Sequence, residues 1–155
     1  MLKLYKSIDN QLNYWETWNK DEKTAIVHWG IVGQHGQYKE VKNKLFSNFR
    51  KIIQKEIYNK LKEDYTEFDE EKIVFLEIEY TIDGFGTDED LDKRHRLEEY
   101  LDEILGHTGL GQCDGGSIGS GTMEVGCMVV DPDIAKKVIE DNLKNTEFGN
   151  YSRIF

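Results

Sequence analysis

The chain has 155 residues, of which 38% are hydrophobic and 32% are charged, and it carries a formal net charge of −10. This composition is typical of a folded globular protein and excludes a disordered chain, and no apolar run approaches the roughly 18 residues that a membrane span requires. The N-terminal residues lack the apolar core of a secretion signal, so we expect a cytoplasmic location with both cysteines reduced.

The charge is divided unevenly along the chain. Residues 1–70 hold 12 Lys and Arg against 11 Asp and Glu, whereas residues 71–155 hold 8 against 19. Together with the short charged segment 67–72, this asymmetry predicts two domains, 1–70 and 71–155. An acidic second domain repels phosphate backbones and favours a basic protein partner, and no membrane partner is expected. The alternative is that the acidic surface serves solubility alone.

The first domain opens with segments that favour strands. Residues 2–5 and 12–18 are predicted strands, a polar turn follows at 19–23, and residues 24–33 form a stronger strand. From Glu40 to Leu61 the apolar residues recur every three or four positions, which predicts one long amphipathic helix. Its outer side either follows a phosphate backbone or is an ordinary solvated face. That side carries four lysines on one line: Lys44, Lys51, Lys55 and Lys62.

Residues 29–36, WGIVGQHG, resemble the W-G-R-x-G-x-x-G signature of WGR domains. The order of elements and the helix end KLKEDY at residues 60–65 are also similar to that family, so the resemblance covers about residues 1–68. It implies an antiparallel sheet with a long helix, in a module that binds nucleic acid or contacts other domains. It also implies that Trp29 offers a face to a sugar or a partner, the alternative being a core indole. Ile31 stands where the motif has arginine, so that charged contact is not expected.

The second domain alternates strands and helices. Residues 73–82 alternate in polarity from Leu76 onward and predict a half-buried strand, with Glu77 and Glu79 on the face opposite the apolar side chains. Thr87 and the acidic residues after it predict a capped helix to about Leu105 rather than a calcium loop, because the EF-hand glycine and glutamate are missing. A strand at 122–130, a helix beginning at 131–132 and a last strand at 151–155 complete the series.

Seven of the 14 glycines fall within residues 109–126. This segment has neither the order of a P-loop nor that of a dinucleotide-binding loop. With a strand at 112–118, the domain has the β-α-β-β-α-β order of ferredoxin-like sandwiches, and the whole chain is of the α+β class. A turn centred on Ser120 predicts three facing pairs across this strand and the next: Cys113–Cys127, Gly115–Val125 and Gly116–Glu124.

The same segment, GLGQCDGGSIGSG at 109–121, resembles part of small uncharacterised bacterial proteins, some of which are immunity-type proteins that neutralise toxins. The resemblance covers about residues 73–155 and implies protein binding. We therefore predict a non-catalytic bacterial binding protein without cofactor or metal. The alternatives are nucleic-acid binding through Trp29 and the lysines, or a small-ligand or enzyme site where Asp114 meets His107 or Cys113. The candidate partner-binding residues are Trp29, Lys44, Lys51, Lys55, Lys62, Glu77, Glu79, Asp114 and Glu124, the glutamates lying on the predicted open face of the second sheet.

Overall fold

The computed structural model describes all 155 residues and divides into two compact units, Met1–Glu70 and Glu71–Phe155. Each unit combines one four-stranded antiparallel sheet with helices, which confirms the α+β class. The division falls within the charged segment 67–72, where a single short 3-10 turn, Glu70–Lys72, is the only regular structure.

The first unit is a meander in which each strand pairs with the next. It consists of β1 (Leu2–Ile8), β2 (Gln11–Asn19), β3 (Thr24–Ile31), β4 (Gln37–Lys42) and one helix, α1 (Phe49–Lys62). Successive strand residues alternate between the two faces of the sheet, and the α1 side chains pack against one of them, while Tyr14 and Ile26 are buried on the other. The core of the unit is formed by Leu4, Trp15, Ala25, Val27, Val41, Phe49, Ile53 and Tyr65.

The predicted start of the helix at Glu40 is wrong. Residues 37–42 form the edge strand β4 instead, and the buried Val41 faces Ala25 of β3. Helix α1 begins at Phe49, nine residues after the predicted start. The Asn48 side chain caps it by accepting a 3.0 Å hydrogen bond from the amide of Lys51. Lys44 consequently lies outside the helix, and Leu45, which continues the helical period in the sequence, is 90% exposed.

The second unit has the element order β-α-β-β-α-β. Its elements are β5 (Val74–Thr81), α2 (Asp88–His107), β6 (Gly111–Gly119), β7 (Thr122–Val129), α3 (Pro132–Leu143) and β8 (Arg153–Ile154). The strand order is β6-β7-β5-β8, and all neighbours are antiparallel. The most deeply buried side chains come from the sheet and from both helices: Ile78, Tyr80, Leu97, Leu101, Leu105, Met123, Val125, Ile139 and Leu143.

Local signals fix both ends of α2. At its start, Thr87 and Asp90 form a capping box in which each side chain accepts the backbone amide of the other. At its end, Gly109 adopts a φ of 67°, and the amide of Leu110 donates to the carbonyl of Leu105 over 3.0 Å. A side chain at Gly109 would disfavour this left-handed conformation, so the glycine is what lets the chain turn back into β6.

A β-bulge interrupts the β6–β7 hairpin. Asp114 and Gly115 together face one residue of β7, which shifts the register beyond them by one position. The hairpin closes through a two-residue turn, Ser120–Gly121, in which φ is 54° and 90°. The prediction that Cys113 faces Cys127 is confirmed. The predicted pairs Gly115–Val125 and Gly116–Glu124 are wrong, and the observed ones are Gly116–Val125 and Ser117–Glu124.

Candidate functional site

Three of the predicted residues lie together on one face of the second sheet. Glu77 and Glu79 project from β5, and Glu124 of β7 is directly opposite Glu79. Phe75 shares this face and is 49% exposed, and its ring lies over Gly126, where it fills the space that a Cβ would need. Helix α2 covers the other face, where Lys93 Nζ lies 4.8 Å from the ring centroid of Tyr80. We call Phe75, Glu77, Glu79 and Glu124 the acidic sheet face.

The carboxylates of this face differ in their partners. The guanidinium of Arg153 donates to both oxygens of Glu79, at 3.0 and 2.8 Å, and this pairing holds the pKa of Glu79 below its usual range. The Ser117 hydroxyl donates to the carboxylate of Glu124. Three carboxylates against one guanidinium leave the face negatively charged, and the half-exposed ring gives it an apolar centre.

Asp114 lies at the bulge and is exposed. The Cys113 thiol faces Cys127, with Sγ–Sγ at 3.3 Å, rather than Asp114. His107 ends α2, with Nδ1 4.0 Å from the carboxylate of Glu103 on the same helix. The glycine-rich segment that contains Asp114 is a hairpin strand, and no group of three or more His, Cys, Asp or Glu side chains is placed to hold a metal ion.

The predicted line of four lysines is reduced to three. Lys51, Lys55 and Lys62 are exposed on α1, whereas Lys44 lies in the turn before it. An aromatic residue joins the helical lysines, because Tyr58 is 56% exposed and its ring centroid lies 4.5 Å from Lys62 Nζ. The sequence analysis missed this aromatic contribution to the helix surface.

Trp29 is partly buried and packs at the edge of the first unit's core. It stands opposite Trp15 of β2, and Lys39 Nζ lies 5.9 Å from its ring centroid. Ile31, at the motif's arginine position, is paired with Asn13. Part of the indole packs and part remains accessible, so the contact of Trp29 with a sugar or a partner stays a prediction.

A buried polar cluster on the other face of this sheet was also missed. Glu16 and His28 face each other on β2 and β3, with Oε1 2.7 Å from Nδ1, and the Tyr14 hydroxyl lies 3.1 Å from Nε2 of the ring. Burial lowers the pKa of Lys3, against the raising effect of the Glu16 carboxylate 3.5 Å away. Burial also raises the pKa of Tyr14, and the Glu16 charge adds to that shift. The backbone of Gly36 packs directly against Tyr14 and His28. The cluster is therefore enclosed within the first unit, and we assign it a stabilising role rather than a ligand-binding one.

The sequence came within one residue of this cluster. The midpoint of the predicted turn at 19–23 is Asp21, which would place Ile26 opposite Glu16. The observed pairing is centred on Glu22 and brings His28 there instead, where facing residues of a hairpin interact directly.

Comparison of the chain with protein-family models, with curated proteins and with solved structures gives no match. No helix combines the length and the apolar composition that crossing a membrane requires.

Proposed function

We propose that the chain is a non-catalytic bacterial protein that binds a basic protein through the acidic sheet face of its second unit. The observation that carries the proposal is the alignment of Glu77, Glu79 and Glu124 beside the half-exposed ring of Phe75. An aromatic anchor supplies affinity in such an interface, and the surrounding charges steer and select the partner. A cytoplasmic location belongs to this proposal and agrees with two free thiols.

The proposal includes a WGR-like first unit and a ferredoxin-like second unit related to bacterial immunity-type proteins. The meander followed by α1 supports the first assignment, as does the close packing of Gly30 and Gly36 around Tyr14. The β-α-β-β-α-β order with strands arranged β6-β7-β5-β8 supports the second. Immunity-type proteins act by binding a toxin, which agrees with a surface rather than a pocket as the site.

Nucleic-acid binding is the second candidate, and one observation favours it. Tyr58 stands exposed among Lys51, Lys55 and Lys62, and an aromatic ring among cations is a common contact for single strands. The net charge of −10 opposes it, because a polyanion is repelled by the chain as a whole.

The test is recovery of bound protein from an extract of the native cells, before and after nuclease treatment. Glu77→Lys with Glu124→Lys is expected to abolish recovery, because it reverses the charge that attracts a basic partner. These two residues are chosen because the changes leave the pair of Arg153 with Glu79 in place. The matched control, Glu99→Lys with Asp141→Lys, reverses the same number of exposed charges on the helices and is expected to retain the partner.

The identified partner is then purified, and its dissociation constant is measured at two salt concentrations. Weakening at high salt, together with loss in the sheet-face variant alone, supports the proposal. If nuclease treatment prevents recovery of the partner, and if a Lys51→Glu, Lys55→Glu variant also fails to recover it, the result supports nucleic-acid binding instead. Recovery that is unchanged in the sheet-face variant contradicts the proposal.

A further inference from the structure

Two large apolar side chains project into solvent from the first unit. Leu45 is 90% exposed and Phe46 is 95% exposed. They occupy a tight turn between Lys44 and Ser47, whose backbones exchange two hydrogen bonds of 2.7 and 3.2 Å. We call these four residues the Leu45–Phe46 turn. Adjacent apolar side chains at this exposure mark a binding surface more often than single scattered ones do.

The turn is held at both ends. On one side, β4 ends at Lys42 after the buried Val41. On the other, the Asn43 side chain accepts a 2.9 Å hydrogen bond from the amide of Phe49, a residue that is only 3% exposed. An anchored turn loses little conformational freedom when a partner covers it, so its apolar surface contributes efficiently to affinity.

The surroundings of the turn are positively charged, in contrast to the chain. Residues 41–55 contain five Lys and Arg and no Asp or Glu, although the net charge of the chain is −10. The five cations are Lys42, Lys44, Arg50, Lys51 and Lys55. Lys42 is paired with Glu40 over 2.8 Å, so the rim around the apolar tip is formed by Lys44 in the turn and by Arg50 and Lys51 at the start of α1.

The cations also stand where a helix disfavours them. Arg50 and Lys51 lie in the first turn of α1, which carries no acidic residue. The positive end of the helix dipole lies there, and it stabilises acidic side chains rather than basic ones. Placing two cations at this end opposes local helix stability, and the same arrangement strengthens attraction for an anion that approaches the turn.

We infer that the Leu45–Phe46 turn is a second protein-binding surface, which inserts into an apolar pocket rimmed by Asp and Glu on a partner protein. The apolar tip and the cationic rim match such a pocket in both shape and charge. A protein is favoured over a nucleic acid for two reasons: Leu45, beside Phe46, offers no ring to stack on a base, and the net charge of −10 repels a polyanion. The inference does not depend on the acidic sheet face, because it concerns the other unit.

The experiment uses the full chain with a photoreactive benzoylphenylalanine at position 46, irradiated in an extract of the native cells. The expected result is one crosslinked protein whose attached peptide lies beside Asp or Glu residues. An excess of unlabelled native chain is expected to reduce the crosslink, because it competes for the partner. Two variants are expected not to reduce it, one carrying Leu45→Ser and Phe46→Ser and the other carrying Lys44→Glu and Arg50→Glu. With the purified partner, each double variant weakens binding about 30-fold or more.

Matched controls exist within the chain. Phe85 is 84% exposed and stands among acidic residues, so Phe85→Ser removes an equally exposed ring without a cationic rim. Lys136→Glu with Lys137→Glu reverses two exposed charges on α3. Both controls are expected to compete as well as the native chain. All of these side chains are exposed, and far-UV circular dichroism verifies that each variant is folded.

Five results overturn the inference. The first is the absence of a crosslinked protein, and the second is an adduct that nuclease removes. The third is a crosslink to a second copy of this chain. The fourth is co-sedimentation with vesicles of anionic phospholipid that the Leu45→Ser and Phe46→Ser changes abolish. The fifth is equal competition by the turn variants and the native chain. The two proposals can fail separately. If the sheet-face variant loses its partner but still forms the crosslink at position 46, the two surfaces bind independently.

Discussion

Oε1 of Glu16 lies 2.7 Å from Nδ1 of His28, and both residues are buried in the first sheet. A neutral imidazole satisfies the geometry, because Nδ1–H donates to the carboxylate while Nε2 accepts the hydroxyl of Tyr14. Burial raises the pKa of Tyr14, so the hydroxyl stays protonated and available as a donor. The cluster is internally satisfied, and we expect it to stabilise the unit only as long as it is complete.

His28→Ala is expected to lower the free energy of unfolding of the first unit by about 3 kcal/mol, because it removes the nearest hydrogen-bond partner of the buried Glu16 carboxylate and leaves only Lys3 at 3.5 Å. Glu16→Gln is the control, since its amide oxygen still accepts from Nδ1 and the loss should be smaller. All three tryptophans, Trp15, Trp18 and Trp29, belong to this unit, so urea unfolding followed by tryptophan fluorescence reports it alone. A loss below about 1 kcal/mol for His28→Ala contradicts the predicted role.

Gly36→Ala is expected to destabilise the first unit by about 2 kcal/mol or more, because the added Cβ has no space. It would lie 2.5 Å from Nε2 of His28 and 2.8 Å from the carbonyl oxygen of Trp29. Gly106→Ala is the control, since nothing lies within 4 Å of its Cβ position in α2. Alanine is more stable than glycine inside a helix by about 0.5–1 kcal/mol, so Gly106→Ala is expected to be neutral or stabilising. Thermal unfolding of both variants provides the comparison, and a tolerated Gly36→Ala contradicts the packing argument.

The two cysteines occupy a position in the ladder that suits a disulfide. The amide of Val130 donates to the carbonyl of Leu110, and hydrogen-bonded pairs alternate along an antiparallel ladder from there. Cys113 and Cys127 therefore form a non-hydrogen-bonded pair, and the amide of Cys113 donates instead to Asp102 over 3.0 Å. The Cα spacing of about 4.5 Å in such pairs falls within the range that disulfides accept.

Oxidised glutathione is expected to convert this pair slowly to one intramolecular disulfide, with two thiol protons lost and two glutathione molecules released. The reaction is slow because the hydrogen bond with Cys127, and then burial, raise the pKa of Cys113 and leave little thiolate. Closing the loop should stabilise the second unit by up to about 3 kcal/mol. Intact mass and thermal unfolding measure both effects, with Cys113→Ser as the control. Alkylation of both thiols after long oxidation contradicts the prediction.

The pairing of Glu79 with Arg153 predicts a pH dependence. Because Arg153 lowers the pKa of this carboxyl in the folded state, its stabilising effect is present above the unfolded pKa and is lost as the pH falls. Arg153→Met should therefore lower the thermal midpoint of the second unit at pH 7, and the difference should shrink between about pH 5 and 3. Lys136→Met is the control on α3. A difference that is independent of pH contradicts the pairing.

Local signals in the sequence were sufficient for several elements. The alternation along β5, the cap at Thr87, the start of α3 at Asp131 and the facing cysteines all depend on residues close in sequence. The edge strand β4 could not be predicted in this way. Its one buried residue, Val41, fits a helical period by coincidence, and its pairing with β3 is decided by tertiary contact.

At the candidate site, features set by one strand could be predicted from the sequence, and features set by two strands together could not. The shared face of Glu77 and Glu79 followed from alternation in one strand, whereas the bulge at Asp114 depends on how two strands settle together. Leu45 fits the helical period of a core residue, because sequence periodicity does not distinguish a buried apolar side chain from one that is presented to a partner.

The turn at Ser120 and Gly121 has a consequence for the order of folding. It joins β6 and β7 through two residues, so their ladder forms by local contacts on the microsecond scale. The pairing of β5 with β7 joins residues as distant as Val74 and Val129 and must wait for a much longer loop to close. We expect the hairpin to be the nucleus onto which the rest of the second unit condenses, and substitutions at Ser120 to change the folding rate more than the unfolding rate.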